Sequence, residues 1–70
     1  MKYLVIIEET KTGYSVFSPD LPGCIASDTT REDAEKNMKE AIGFHVEGMI
    51  QEGMKAPKPH TFSTYLDVPA

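Results

Sequence analysis

The chain of 70 residues lacks several features that identify common classes of protein. It has a single cysteine, Cys24, so no disulfide can form within the chain. Its two histidines, His45 and His60, are far apart and have no metal-ligand spacing. The longest apolar run, residues 3–7, is much shorter than the roughly 20 residues that span a membrane. We therefore expect no internal disulfide, metal centre, cofactor or membrane segment.

Basic residues are also scarce. Lysine and arginine number 7 against 11 acidic residues, which gives a net charge of −4. The basic residues are scattered among acidic ones, whereas nucleic-acid binding normally needs a basic face. Direct nucleic-acid binding is therefore not expected, and an acidic surface is better suited to a basic protein partner. The unpaired cysteine and the lack of a signal-peptide pattern favour a cytoplasmic location.

The length predicts one domain over residues 1–70. A chain of this size buries only about 60% of the surface that its unfolded form exposes, so its core is marginal. Small domains usually gain stability from a disulfide, a metal or a partner chain. With the first two unsupported by the sequence, a homodimer or larger homo-oligomer is expected.

The first part of the chain has the pattern of a β-hairpin followed by a short strand. Residues 2–9 are rich in β-branched side chains and predict a strand, and residues 10–13 end in a glycine that suits a turn. Tyr14–Phe17 predicts the second strand and Cys24–Ala26 the third. Strand one is apolar on both faces, yet one helix can cover only one face of the sheet. Another chain is therefore expected to cover the rest.

A helix is predicted to follow Asp28-Thr29-Thr30. Thr30 with Asp33, or Thr29 with Glu32, has the spacing of a capping box, and Gly53 is a suitable residue to end the helix. Apolar residues recur every three or four positions along one stripe, which is typical of a helix packed on a sheet. The stripe contains Ala34, Met38, Ala41, Ile42, His45 and Met49, widened by Val46 and Ile50.

The end of the chain contains a proline-rich connector and an alternating segment. Ala56-Pro57-Lys58-Pro59 excludes a helix and a central strand. Residues 62–68 alternate between apolar and polar side chains and predict a final strand. The predicted order is β-β-β-α-β, a small α+β domain with an antiparallel sheet and one helix on one face.

These elements carry motifs that resemble the HicB-like antitoxin family of HicA–HicB toxin–antitoxin systems. The resemblance covers residues 3–68, and its most specific part is the run Pro19 to Cys24. The matching motifs are Tyr14-x-Val16-Phe17-x-Pro19-Asp20-Leu21-Pro22-Gly23-Cys24, Thr30-x-x-Asp33-Ala34, Glu40-Ala41-Ile42, Glu52-Gly53 and Pro57-x-Pro59.

The resemblance implies a fold, a partner and a role. The fold is that of a degraded ribonuclease H, which agrees with the element order read from the sequence. The partner is a small basic HicA-type toxin that cleaves messenger RNA, and the role is to neutralise it by masking its surface. Many family members also carry a C-terminal DNA-binding domain, which is not expected within these 70 residues. The alternative is an orphan oligomeric HicB-like module that binds a protein or ligand and has no toxin partner.

The loop at residues 18–24 has two interpretations. In the first, its prolines, Asp20 and Gly23 only shape a rigid crossover between strands. In the second, it forms part of a partner-binding surface, with Leu21 exposed as an apolar anchor beside Asp20. The candidate partner-binding residues are Tyr14, Phe17, Asp20 and Leu21.

Catalysis is not expected. A ribonuclease-H-type reaction needs several carboxylates around two metal ions, but the middle of strand one is apolar and no spacing brings Asp20 and Asp28 together. Cys24 has no base linked to it by a motif and is interpreted as a small buried residue. His45 is interpreted as a histidine at the edge of the core.

Overall fold

The computed structural model describes all 70 residues and contains three strands and one helix. The strands are β1 (Ile6–Glu9), β2 (Tyr14–Phe17) and β3 (Ile25–Asp28), and the helix is α1 (Arg31–Gln51). The sheet is antiparallel with the order β1-β2-β3, so β1 and β3 are its edges. The prediction of a small α+β domain with an antiparallel sheet and one helix is confirmed.

The helix begins and ends where the sequence predicts. Thr30 is the N-cap, and its hydroxyl accepts a hydrogen bond of 3.1 Å from the backbone N–H of Asp33. At the other end Gly53 has a φ of +80°, a conformation that side chains other than glycine rarely adopt. The N–H of Met54 then donates to the carbonyl of Met49 at 2.9 Å, as in a Schellman motif. α1 does not have the apolar composition that a helix needs to cross a membrane.

The core lies between the sheet and the first half of α1. Its fully buried apolar residues come from β2, the loop after it and the helix, and are Val16, Leu21, Cys24, Ala34 and Met38. Val5, Ile7, Tyr14 and Ala26 of the same sheet face pack against this cluster, as do Ala41, Ile42 and Val46 of the helix. The predicted apolar stripe therefore faces the core as far as Val46, whereas Ile50 is exposed.

The opposite side of the sheet has an uncovered apolar row, here called the open face. It consists of Ile6, Phe17 and Ile25, which lie directly across from one another on the three strands. Glu8 lies two residues beyond Ile6 and so shares this face. Ile25 is 71% exposed. The expectation that one helix leaves the second face uncovered agrees with this arrangement.

The predicted final strand is absent from this structure. Residues 62–68, here called the C-terminal arm, have no assigned secondary structure and all are exposed. No backbone hydrogen bond connects them to any strand. The alternation of their side chains is suitable for a strand. A strand, however, must pair with the edge of another strand to satisfy its backbone groups. The arm does not pair with a strand edge of its own chain.

The arm makes the molecule elongated. Its principal extents are 50 × 27 × 16 Å and its Cα radius of gyration is 13.9 Å. A compact domain of this length has a radius of gyration of about 11 Å. A considerable part of the chain therefore extends away from its own core.

Candidate partner-binding surfaces

The loop at residues 18–24 is folded tightly by its own backbone. The N–H of Leu21 donates to the carbonyl of Ser18, and the N–H of Cys24 donates to the carbonyl of Leu21, each at 3.1 Å. Gly23 has a φ of +83°, which agrees with the conformation expected for a glycine in this loop. The hydroxyl of Ser18 donates to the carbonyl of Leu4 at 2.8 Å and fixes the loop to the segment that precedes β1.

The expectation that Leu21 is an exposed anchor is wrong. Leu21 is 1% exposed and belongs to the hydrophobic core with Val16 and Met38. The two turns of the loop direct this side chain under the helix, where burying it stabilises the fold by about 1.5–3 kcal/mol relative to an exposed leucine. Leu21 cannot contact a partner in this conformation, and its role here is packing.

Asp20 is also directed inward. Its carboxylate binds residues 60–61, which directly precede the C-terminal arm and are here called its root. It accepts hydrogen bonds from the N–H groups of His60 at 3.0 Å and Thr61 at 3.2 Å, and from the hydroxyl of Thr61 at 2.5 Å. The Asp20 side chain has no exposed surface in this arrangement. A buried carboxylate is stable only with such partners, so Asp20 and residues 60–61 depend on each other.

The electrostatics agree with this interpretation. The hydroxyl of Thr61, with help from the two N–H groups, lowers the pKa of Asp20 below its usual value, although burial acts in the opposite direction. Nδ1 of His60 lies 3.1 Å from both Oδ1 of Asp20 and the carbonyl of Lys58. Both neighbours are acceptors, so this geometry suits the tautomer of His60 that donates from Nδ1. Asp20 therefore holds the root of the arm as an anion.

The other residues considered for catalysis are engaged elsewhere. The carboxylate of Asp28 accepts from the N–H of Thr29 at 2.6 Å and from the side-chain amide of Asn37 at 2.8 Å, and these bonds lower its pKa. Cys24 is buried, which raises the pKa of its thiol and suppresses its reactivity. His45 is partly buried on α1. No three His, Cys, Asp or Glu side chains come together in a way that could hold a metal ion.

The four predicted partner-binding residues do not form one surface. Asp20 and Leu21 are directed into the domain. Phe17 lies on the open face, whereas Tyr14 lies on the helix side of β2 and packs against the core. A role for Tyr14 and Phe17 in partner binding stays a prediction. Because Asp20 and Leu21 are buried, they can influence partner binding only by shaping the domain.

The second uncovered feature lies beside β1. A cleft of about 520 Å³ separates the edge of the sheet from the arm. The domain lines it with residues 4–7, Glu9, Tyr14 and Arg31, and the arm lines it with residues 63–65. The connector that leads to the arm is also fixed to the segment before β1. There the hydroxyl of Tyr3 donates to the carbonyl of Pro57 at 2.6 Å. Residues 63–65 of the arm therefore lie beside β1 without a backbone hydrogen bond to it.

Sequence reasoning missed the contact between Asp20 and Thr61. These residues are 41 positions apart, and neither belongs to a motif that names the other. The only signal was the aspartate itself, in a rigid loop where it appeared to bond its own backbone. Such a carboxylate can bind any nearby N–H group, and only the packing of the connector determines which one it meets.

Comparison with known proteins identifies the family. The model of the HicB-like antitoxins of bacterial toxin–antitoxin systems matches residues 3–70. A protein of Haemophilus phage HP1, described as an uncharacterized 14.9 kDa protein in the rep-hol intergenic region, is 41% identical over 69 residues. This match covers 99% of the chain and 52% of the phage protein. Antitoxin HicB 2 of Photorhabdus laumondii is 30% identical over 71 residues, covering all of this chain and 51% of that protein.

A solved structure gives the same result. A chain of a HicA3 and HicB3 toxin–antitoxin complex superposes with a TM-score of 0.72 and 33% sequence identity, covering 86% of this chain and 70% of that one. The domain fold and the family match together define a domain of the HicB-like class. The chain belongs to the HicB-like antitoxin family. It spans about half the length of the two relatives from the phage and from Photorhabdus.

Proposed function

We propose that this chain binds a small HicA-type toxin that cleaves messenger RNA, and neutralises it in the cytoplasm by masking its surface. The observation that carries the proposal is the match to a chain from a HicA3 and HicB3 complex over 86% of these residues. Masking requires binding alone, so we propose no catalytic step for the chain itself. The net charge of −4 suits a partner that must be basic to hold RNA.

We propose the open face as the contact surface for the toxin. It presents an apolar row of three side chains with the carboxylate of Glu8 beside it. Interfaces commonly place apolar contacts at the centre and charged groups at the rim, where charge speeds association and selects the partner. Phe17 is in the middle of this row, which is consistent with its predicted role. Asp20 and Leu21 would contribute only by shaping the domain, and Tyr14 by supporting β2 from the other side.

The proposal is tested by calorimetry and by an RNA-cleavage assay with a small basic HicA-type protein whose reading frame neighbours that of this chain. The parent chain should bind with a Kd below micromolar and stop cleavage at equal concentrations. Ile25→Asp, at the exposed end of the row, should weaken binding about 10- to 100-fold, which corresponds to the loss of one central contact. The matched control is Ile50→Asp, which introduces the same charge at an exposed isoleucine of α1.

Two results would contradict the proposal. Absence of binding between the parent chain and the cognate toxin at micromolar concentration removes the antitoxin function. Equal loss of affinity in Ile25→Asp and Ile50→Asp removes the open face as the specific contact, while the antitoxin function remains. Circular dichroism of both variants verifies that each retains its fold.

We also propose that the chain functions as a homo-oligomer, with a dimer as the simplest form. Its accessible surface is 5795 Å². A compact monomer of this mass exposes about 4400 Å². If each chain buried the difference against a copy, two chains would bury about 2800 Å² in total, which is in the range of obligate homodimers. Light scattering at tens of micromolar tests this, and a mass of one chain would contradict it.

A further inference from the structure

The C-terminal arm is the most exposed apolar segment of the molecule. Four of its seven residues are large hydrophobic side chains, each at least 77% exposed, namely Phe62, Tyr65, Leu66 and Val68. Its backbone N–H and C=O groups have no backbone partner within the chain. Monomeric proteins rarely leave so much apolar side chain uncovered in one segment, and such segments commonly mark an interface.

A second unpaired backbone lies directly opposite. β1 is an edge strand, so one side of its backbone has no hydrogen-bond partner. An exposed edge with apolar side chains is a template for pairing with another chain. The cleft between β1 and the arm keeps these two unpaired backbones apart within one molecule.

We propose that the arm of each chain forms a β-strand on the β1 edge of a second copy, so that two copies exchange their arms. This inference rests on the proposed homo-oligomer and identifies the segments that build it. Each arm would enter the cleft of its partner and pair with the free edge of β1, which satisfies that edge and the backbone groups on the facing side of the arm. The exchange is reciprocal, as a twofold interface requires.

The anchored root makes the exchange favourable. Asp20 binds residues 60 and 61, and Tyr3 binds Pro57, so the arm leaves the domain at a fixed point. Pro57 and Pro59 further restrict the connector before it. Because the root is already ordered, pairing must fix only residues 62–68, which lowers the conformational entropy lost on association.

Length and charge predict the orientation of the exchanged strand. Seven residues extend over about 23 Å, enough to pair along the four residues of β1 and continue beside residues 2–5, which precede it and have no assigned strand. An antiparallel arrangement places Asp67 beside Lys2, whereas a parallel arrangement places it beside Glu8 and Glu9. Like charges on facing strand positions are destabilising, and opposite charges are favourable. The acidic end of β1 therefore favours an antiparallel arm from the partner.

A chain could instead pair its own arm with its own β1. The connector contacts Tyr3, which precedes β1, and residues 63–65 line the cleft beside β1. An own arm that paired with β1 from this starting point would run parallel to it. Asp67 would then lie about 20 Å or more from Lys2. The position of residue 67 therefore distinguishes exchange from pairing within one chain.

The first experiment tests whether the arm holds the oligomer together. Thr64→Pro with Leu66→Pro removes two backbone donors from the arm, and should raise the dissociation constant of the oligomer about 100-fold or more. These positions are exposed and make no backbone hydrogen bond, so the fold of the single chain should persist, as circular dichroism can verify. Ala70→Pro, beyond the arm, is the matched control and should assemble like the parent.

The second experiment tests where the arm lies. Lys2→Cys with Asp67→Cys should form a disulfide between chains on oxidation, seen as a covalent dimer on a denaturing gel without reductant. Glu9→Cys with Asp67→Cys reports pairing within one chain, because its disulfide would keep the mass of a single chain. Both pairs of positions are exposed, and buried Cys24 should not compete.

The outcomes separate this inference from the proposed oligomer. A parent chain with the mass of one molecule overturns both. An oligomeric parent whose proline variant assembles equally well overturns the exchange and leaves the oligomer. An internal disulfide in the Glu9 and Asp67 pair, without a covalent dimer from the Lys2 and Asp67 pair, also overturns the exchange. Loss of assembly in the proline variant together with the covalent dimer supports it.

Discussion

The loop at residues 18–24 and the C-terminal arm differ in how fully their groups are satisfied. The loop buries Leu21 in the core, pairs its backbone in two turns and uses Asp20 to bind another segment. The arm exposes its apolar side chains and leaves its backbone unpaired. A segment whose apolar side chains are buried and whose backbone groups are hydrogen-bonded supports its own fold. A segment whose apolar side chains are exposed and whose backbone groups lack partners needs another chain. The difference assigns the loop to stability and the arm to assembly.

The largest expected effect compares two leucines. Leu21→Ala should lower the free energy of unfolding by about 2–5 kcal/mol, because it leaves a cavity in a core of few residues. The total free energy of unfolding of a domain of this size is about 4–10 kcal/mol, so much of the Leu21→Ala protein would be unfolded. Leu66→Ala, at an exposed position of the arm, should change the free energy of unfolding by less than about 0.5 kcal/mol when the chain is monomeric.

Urea titration at submicromolar protein concentration measures both leucine variants. The parent chain should become more stable as its concentration rises, because assembly stabilises the folded state. Leu66→Ala should gain less stability than the parent over the same range of concentration. Equal destabilisation by the two substitutions in dilute solution would break the distinction between loop and arm.

A second comparison tests the link between the two regions. Asp20→Asn replaces a carboxylate that accepts three hydrogen bonds with an amide that has one acceptor oxygen. Amide exchange at residues 60 and 61 should become about tenfold faster or more, as the root of the arm is released. Asp28→Asn is the matched control, because its carboxylate binds Thr29 and Asn37 and makes no contact with the arm. If the two variants have the same effect on residues 60 and 61, Asp20 is not the tether.

Acid should release the root without any substitution. The pKa of Asp20 is lower in the folded protein than in the unfolded chain. Its stabilising contribution is therefore complete above the unfolded pKa of about 3.9, and is lost as pH falls through the folded value. Exchange-protected amides of residues 60 and 61 should lose protection below about pH 4. The Asp20→Asn chain should show no such step, and an identical acid profile in that variant would contradict this assignment.

Much of the fold could be predicted because local chemistry determines it. Thr30 and Gly53 mark the ends of α1 through their own hydrogen bonding and backbone conformation. The β-branched residues of the first strand and the turn that ends in Gly13 mark the hairpin. The motifs around Pro19 to Cys24 also led to the correct family. None of these inferences required knowledge of long-range contacts.

The remaining features depend on contacts that sequence patterns do not contain. The burial of Leu21 results from the way two turns direct it under α1, and the role of Asp20 depends on a segment 40 residues away. The arm has the alternation of a strand, but alternation indicates only which residues share a face. Whether a strand forms depends on an available edge, which is why residues 62–68 are not a strand in the single chain.

Amide hydrogen exchange at two protein concentrations tests the distinction between loop and arm most directly. At concentrations where the chain assembles, the amides of residues 62–68 that face the partner's β1, every second one along the arm, should be protected, and dilution should restore their intrinsic exchange rates. The amides of Leu21 and Cys24, bonded within the loop, should stay protected at both concentrations. Exchange of these facing arm amides at the intrinsic rate in the assembled state would contradict the account.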